Sequence, residues 1–150
     1  SLVNIAAKEG FPGFDVLLYH GASYNYYAGK IESIRAQKPN LSERSEYVMR
    51  FLLQKRHLAP TYDGYPRMPT PVDHMFIDKI PDLFISADVH KCSTFNYKGV
   101  ITGIIGSCFQ SATTFQDKVG HTPEPGRVPL LNLKTRELKI LNFSGAQEEK

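Results

Sequence analysis

Phe14-Asp15-Val16-Leu17-Leu18-Tyr19 runs straight into His20-Gly21, and Leu83-Phe84-Ile85 runs into Ser86-Ala87-Asp88-Val89-His90. Each is a short apolar stretch with polar residues at its end, the pattern of a buried β-strand. Each also delivers a metal-ligating side chain at its carboxyl end, where ligands collect in open α/β sheets. Imidazole and carboxylate together suit Mn, Zn or Fe. The two stretches set the fold class as α/β and point to part of a metallohydrolase site.

Between these strands, Tyr27, Ile31 and Ile34 recur at helical spacing, which predicts a helix over 26–37 that Pro39 ends. Asn40 with Glu43 resembles a capping box for a second helix. That helix turns Tyr47, Val48, Phe51 and Leu52 to one face, and Glu46 and Arg50 pair at i,i+4 on the outer one. Lys55 and Arg56 in its last turn suit the helix dipole. The stretch 59–73 carries Pro60, Pro66, Pro69, Pro71 and Gly64 and reads as a long loop of the kind that contacts a partner. Strands are expected over 74–77, 83–85, 94–97 and 100–105, with Lys98-Gly99 as a hairpin turn. A second loop covers about 110–127, and 128–133 with 138–143 form a final hairpin. The expectation is a layered α/β domain over 1–145, a mixed sheet with two helices, and a disordered tail at 146–150.

The 150 residues suffice for one domain with a core, and 41% hydrophobic and 22% charged residues are ordinary for a globular protein. A net charge of +3 permits nucleic-acid binding without arguing for it. No apolar run is long enough to cross a bilayer and no secretory signal opens the chain, so no membrane partner and a cytoplasmic location are expected. The chain opens on Ser1 rather than Met, as a piece of a longer protein would. Cys92 and Cys108 lack metal-site spacing and read as buried thiols in a reducing cytosol.

Each candidate site residue has a plain alternative. His20 is either a ligand or a strand-end histidine bonded to a carbonyl. Asp88 and His90 stand two apart, so on an extended segment they point the same way and converge on one metal. Otherwise the Asp caps a turn and the His faces water. Arg56 with His57 is either a phosphate-contacting patch on DNA or a basic helix C-cap. His74 reads as surface or interface, and His121 sits in a Gly/Pro loop with nothing to support a ligand role. Tyr24, Tyr26 and Tyr27 either stack nucleobases or are mostly structural. The sequence holds no P-loop, Rossmann glycine pattern, nucleophile elbow or zinc finger, which excludes those classes.

Several stretches resemble one family. They are Val16-Leu-Leu-Tyr-His-Gly21, Arg56-His-Leu-Ala-Pro60 with Tyr62, Pro81-Asp-Leu-Phe-Ile-Ser-Ala-Asp-Val-His90, Gly106-Ser-Cys-Phe-Gln110 with Thr114-Phe-Gln116, and Pro125-Gly-Arg-Val-Pro-Leu-Leu-Asn-Leu133. In this order they resemble the C-terminal half of the calcineurin-like metallophosphoesterase domain in the small subunit of archaeal family D DNA polymerase. The resemblance implies two metal ions, often Mn, held by five motifs at strand ends. His20 matches the fourth motif and His90 the final His of the fifth. It further implies a 3′–5′ proofreading exonuclease, DNA with a 3′ end as substrate and the polymerase large catalytic subunit as partner.

Two departures from the family pattern qualify that transfer. The early motifs, Asp-x-His, Gly-Asp-x-x-Asp and Gly-Asn-His-Asp, do not precede the His20 strand. Ala87-Asp88 stands where the family has Gly-His. The chain alone is therefore expected to be an inactive half-site with His20, Asp88 and His90 as ligands. A second reading is a non-catalytic scaffold subunit with a degenerate site that binds the large subunit. A third is a phosphoesterase acting on small phosphoesters.

Overall fold

The computed structural model describes residues 1–38, 40–66, 68–110 and 123–144. Its main element is a five-stranded sheet in the order β1 (Leu2–Ile5), β2 (Phe14–Tyr19), β3 (Leu83–Ser86), β5 (Ile101–Ile105), β4 (Ser93–Tyr97). The three central strands β2, β3 and β5 run parallel, and the edges β1 and β4 are antiparallel to their neighbours. The sheet is therefore mixed and α/β in class, as expected. A separate two-stranded hairpin, β6 (Arg127–Leu131) with β7 (Leu138–Asn142), closes the described chain.

The β2–β3 connection carries α1 (Tyr24–Lys30), α2 (Glu32–Arg35), a 3₁₀ turn over Leu41–Arg44, and α3 (Ser45–Lys55). Register and period explain how they bury the sheet. Leu17, Phe84, Gly103 and Phe95 lie opposite one another across four strands. Successive residues alternate faces. Leu17, Phe84, Phe95 and Ile105 thus join Val48, Met49 and Leu52 of α3 and Tyr24 and Tyr27 of α1 in one apolar cluster. Gly103 is required in that row, because a Cβ there would lie 2.2 Å from the Phe95 ring. The Arg50 guanidinium stacks 4.5 Å from the centre of the Phe95 ring and donates to Asn96 O at 3.2 Å. The Glu46–Arg50 pair, expected to face outward, instead ties α3 to β4.

Four local expectations are corrected. The helix expected over 26–37 is two helices, giving three α-helices among the described residues instead of two, because Ile31 is extended (φ −86°, ψ 112°) and caps both. Gly29 and the β-branched Ile31 weaken the helix there, and the break turns Ile34 into the core. Asn40 makes no side-chain cap. Its amide bonds the Glu43 carboxylate at 3.2 Å, and a 3₁₀ turn precedes α3. The segment 74–77 is no strand but a single bridge between His57 and Phe76. Leu58 N to Met75 O and Ile77 N to Arg56 O bracket that bridge, and the next carbonyls, of Ile77 and Asp78, accept from the Arg56 side chain. Finally, β1 was not foreseen: all four of its residues are exposed, so it shows no alternation to read.

The Lys98-Gly99 turn is as expected. Both residues have positive φ (53° and 74°), the requirement of a type I′ hairpin. Residues 146–150, expected to be disordered, lie outside the described residues, as do His121 and Thr114–Gln116 of the family-like stretch.

Candidate metal centre at the strand carboxyl ends

The parallel strands β2 and β3 end side by side, Tyr19 opposite Ser86. The chain is then clamped at His20, whose carbonyl accepts from Ala87 N at 3.2 Å and from Ser86 Oγ at 3.4 Å. Gly21 makes the close approach possible. At φ +115° it adopts a backbone that favours glycine, and a Cβ there would sit 3.1 Å from Ala87 O and 3.2 Å from Asp88 Cβ. The result is that His20 Nε2 stands 3.6 Å from Asp88 Oδ1.

Asp88 and His90 reach the site by a route that strand periodicity does not describe. Asp88 has φ +74° and His90 φ +54°, and Val89 N bonds back to Ala87 O at 3.0 Å. Residues 87–89 therefore form a γ-turn of the rare positive-φ kind. Val89 is 2% exposed and plugs the core, while the Asp88 side chain remains partly exposed. The extended geometry expected for Asp88-x-His90 is thus corrected to a turn. Glu124 fixes the far side of this turn. Its N–H donates to His90 O at 2.8 Å, its carboxylate accepts from Cys92 N at 3.2 Å, and it pairs with Lys91 at 3.6 Å. Cys92 and Cys108, expected to be buried, are each only half-buried, because they fall just outside β4 and β5; burial and then the neighbouring Glu124 push the Cys92 thiol up.

Two ligands of one ion, each about 2.1 Å from it, stand about 3–3.4 Å apart in tetrahedral or octahedral geometry. The His20–Asp88 separation of 3.6 Å lies within a few tenths of that. The Tyr24 hydroxyl, at the start of α1, is buried and has no hydrogen-bond partner among the described residues. The pair fits a divalent cation, for which the chain would supply two ligands. Among the described residues no three His, Cys, Asp or Glu side chains gather into a metal-binding group, so His90 is not assembled with His20 and Asp88 into such a set.

Arg56 and His57 are committed elsewhere. Arg56 ends α3 in the left-handed region (φ 53°), with Arg56 N bonding Leu53 O and His57 N bonding Leu52 O, a Schellman cap. Its guanidinium donates to the carbonyls of Ile77 and Asp78. His57 Nδ1 accepts from Ala59 N at 2.9 Å, which puts the ring proton on Nε2, 2.9 Å from Asp73 Oδ2. Both side chains hold the 59–78 loop against α3. Of the three tyrosines, Tyr24 and Tyr27 are buried and Tyr26 is half-buried. The Tyr27 hydroxyl bonds Thr61 through both its N and its Oγ1. Two residues that frame the pair, Ser86 and Glu124, were not singled out in the sequence. Ser86 ends β3 two residues before Asp88, and only the structure shows Glu124 crossing to His90.

The site and fold together define an α/β domain with a histidine–aspartate pair at the carboxyl ends of parallel strands. Over 88% of its length the chain is similar to curated DNA polymerase II small subunits. The protein of Halobacterium salinarum is 33% identical over 136 residues, which are 25% of its own length. That of Methanothermobacter thermautotrophicus is 36% identical over 133 residues, 26% of its length, and that of Pyrococcus horikoshii 35% over 134 residues, 20% of its length. The resemblance read from the motifs is thereby borne out, and the chain spans about a quarter of the relatives it matches. No protein-family model matches the chain. Among the described residues no helix is long and apolar enough to cross a membrane.

Proposed function

We propose that this chain is part of the small subunit of a replicative DNA polymerase, in a metallophosphoesterase-type domain that removes nucleotides from 3′ ends of DNA. The observation that carries the reading is the His20–Asp88 pair, 3.6 Å apart, clamped by Gly21 at the ends of two parallel strands. The similarity to polymerase small subunits supports the assignment to that machinery. Two divalent ions, Mn in the first instance, would supply Lewis acidity and an activated water for phosphodiester hydrolysis. His20 and Asp88 would hold and orient one of them, and His90, carried on the same turn as Asp88, would be a further ligand. The remaining ligands come from outside the described residues. The polymerase large subunit is the proposed partner.

The test uses the full-length protein with its large subunit, Mn²⁺ and a 3′-mismatched primer. His20→Ala and Asp88→Ala are expected to lower the rate of 3′ nucleotide release by about 10²-fold or more, with His90→Ala less severe. Circular dichroism would confirm that each variant stays folded. A second reading, a non-catalytic scaffold with a degenerate site, is favoured by the absence of a third ligand among the described residues. Wild-type protein without nuclease activity, or variants as active as wild type, would establish that reading instead.

A further inference from the structure

We propose that the polymerase large subunit docks in an apolar cleft lined by cations at the amino end of β2. The segment that enters is acidic and carries bulky apolar side chains. The inference rests on the polymerase-subunit reading above, not on the metal centre. The cleft holds about 850 Å³, within the range of about 300–1,000 Å³ for ligand-binding pockets. Its apolar lining includes Phe11, Phe14 and Leu133, and every charged residue that lines it is a cation: Lys8, Lys134 or Arg136.

Both walls are built by hydrogen bonds. On one side, Lys8 and Phe11 exchange backbone bonds at 3.0 and 2.9 Å, and Gly13 (φ +80°) passes too close to Asn4 Oδ1 to carry a Cβ. On the other, Asn132 closes the β6–β7 turn, donating to Glu137 O and accepting from Arg136 N, each at 2.8 Å. Arg136 joins the walls, stacked 4.5 Å over Phe14, and Phe11 meets Phe14 edge-on at 5.4 Å. A preformed cleft spares a partner the cost of ordering it. Its charge is not answered from within. Arg136 pairs with Asp82, but among the described residues the Lys8 and Lys134 side chains have no carboxylate partner. The nearby acids are committed or lie outside the lining. Asp15 holds Lys79, Glu137 pairs with Lys139 at 3.5 Å, and Glu9 does not line the cleft. Two unpaired ammonium groups beside apolar surface complement carboxylates that flank apolar anchors. Single-stranded nucleic acid, the other anionic occupant, stacks its bases on open aromatic faces. Phe14 is only 9% exposed and Arg136 lies over its ring, which favours the peptide. Phe14 starts β2 and His20 follows its end, so by strand rise the cleft lies about 20 Å from the metal pair. A docked partner leaves that site open.

The probe is the purified polymerase large subunit, titrated calorimetrically into the full-length protein and its variants. Lys8→Glu combined with Lys134→Glu reverses the charge of the cleft, and Ala7→Trp fills it without changing charge. Each is expected to weaken binding about tenfold or more. Lys30→Glu with Lys98→Glu makes the same change in net charge at exposed positions outside the cleft and should stay within about twofold of wild type. Cleft variants that bind the large subunit as wild type does overturn the proposal. So does equal weakening by the Lys30 and Lys98 pair, because overall charge would then govern binding. Loss of affinity for a labelled oligothymidylate, with large-subunit binding intact, overturns it in favour of nucleic acid. A lower melting temperature of the free cleft variants, again with large-subunit binding intact, assigns the cleft to a segment of the same chain and overturns it too. Wild type that binds no large subunit fails the polymerase-subunit reading itself, and the docking site with it.

Discussion

Asp88 occupies a backbone conformation, φ +74° within a γ-turn, that an L-residue holds only under constraint. Strain of this kind costs about 1–3 kcal/mol and collects at functional sites. His90, two residues on, is also left-handed at φ +54°, and buried Val89 between them pins the turn to the core. Replacing Asp88 by glycine removes the strain but adds chain freedom worth about 0.5–1 kcal/mol to the unfolded state. Asp88→Gly is therefore expected to gain about 1 kcal/mol of stability by urea unfolding while losing Mn²⁺ binding. A destabilised variant would mean that the Asp88 side chain holds the turn for structural reasons. The sequence showed which residues stand here but not how they are presented. Asp88-x-His90 reads as an extended pair because period 2 is all that spacing encodes, whereas the positive φ values arise from Val89 packing and from Glu124, 34 residues away, bonding the His90 carbonyl.

At the scale of elements, the legible parts were those whose burial follows a period. β2, β3, β5 and α3 each bury a recurrent apolar set. What escaped was decided by side chains reaching across the fold. The Arg56 side chain takes the Ile77 carbonyl where 74–77 stops at a single bridge, and exposed β1 carries no alternation. The contact between α3 and the sheet depends on one absent side chain. Phe95 lies against Gly103 on β5 with Arg50 of α3 stacked on it, so its ring has little room to yield. Gly103→Ala puts a methyl within 2.2 Å of that ring. The expected cost is about 1–3 kcal/mol from overpacking, read as a lower urea midpoint at unchanged slope. Adding Phe95→Leu should recover part of it, and failure to do so would locate the strain in the backbone instead.

Across the whole molecule, the two ends of the parallel strands have separate tasks. The carboxyl ends carry His20 and Asp88. The amino ends carry a polar lattice that joins four parts of the chain. Asp15 of β2 accepts from Lys79 Nζ at 2.6 Å and from Asn4 of β1 at 3.1 Å. Asp82, before β3, accepts from Asp15 N and from Arg136 of the β6–β7 hairpin, each at 2.9 Å, and Arg136 also stacks 4.5 Å over Phe14. The bond from Lys79, with that from Asn4, holds the Asp15 carboxyl below its ordinary value of 3.8. A carboxyl whose pKa is depressed by folding adds stability that is complete above its unfolded value and is lost as pH falls through the folded one. Lys79→Ala is accordingly expected to lower the melting temperature at pH 7. The gap from wild type should narrow as pH falls below 3.8 and close once the pH is low enough for Asp15 to be protonated in both folded proteins. Mn²⁺ affinity at the opposite end of the strands should stay at the wild-type value throughout. A gap that persists to low pH would assign Lys79 a packing role rather than an ionic one. A change in Mn²⁺ affinity would show instead that the two ends of the sheet are coupled, so that the lattice at its foot helps set the distance between His20 and Asp88.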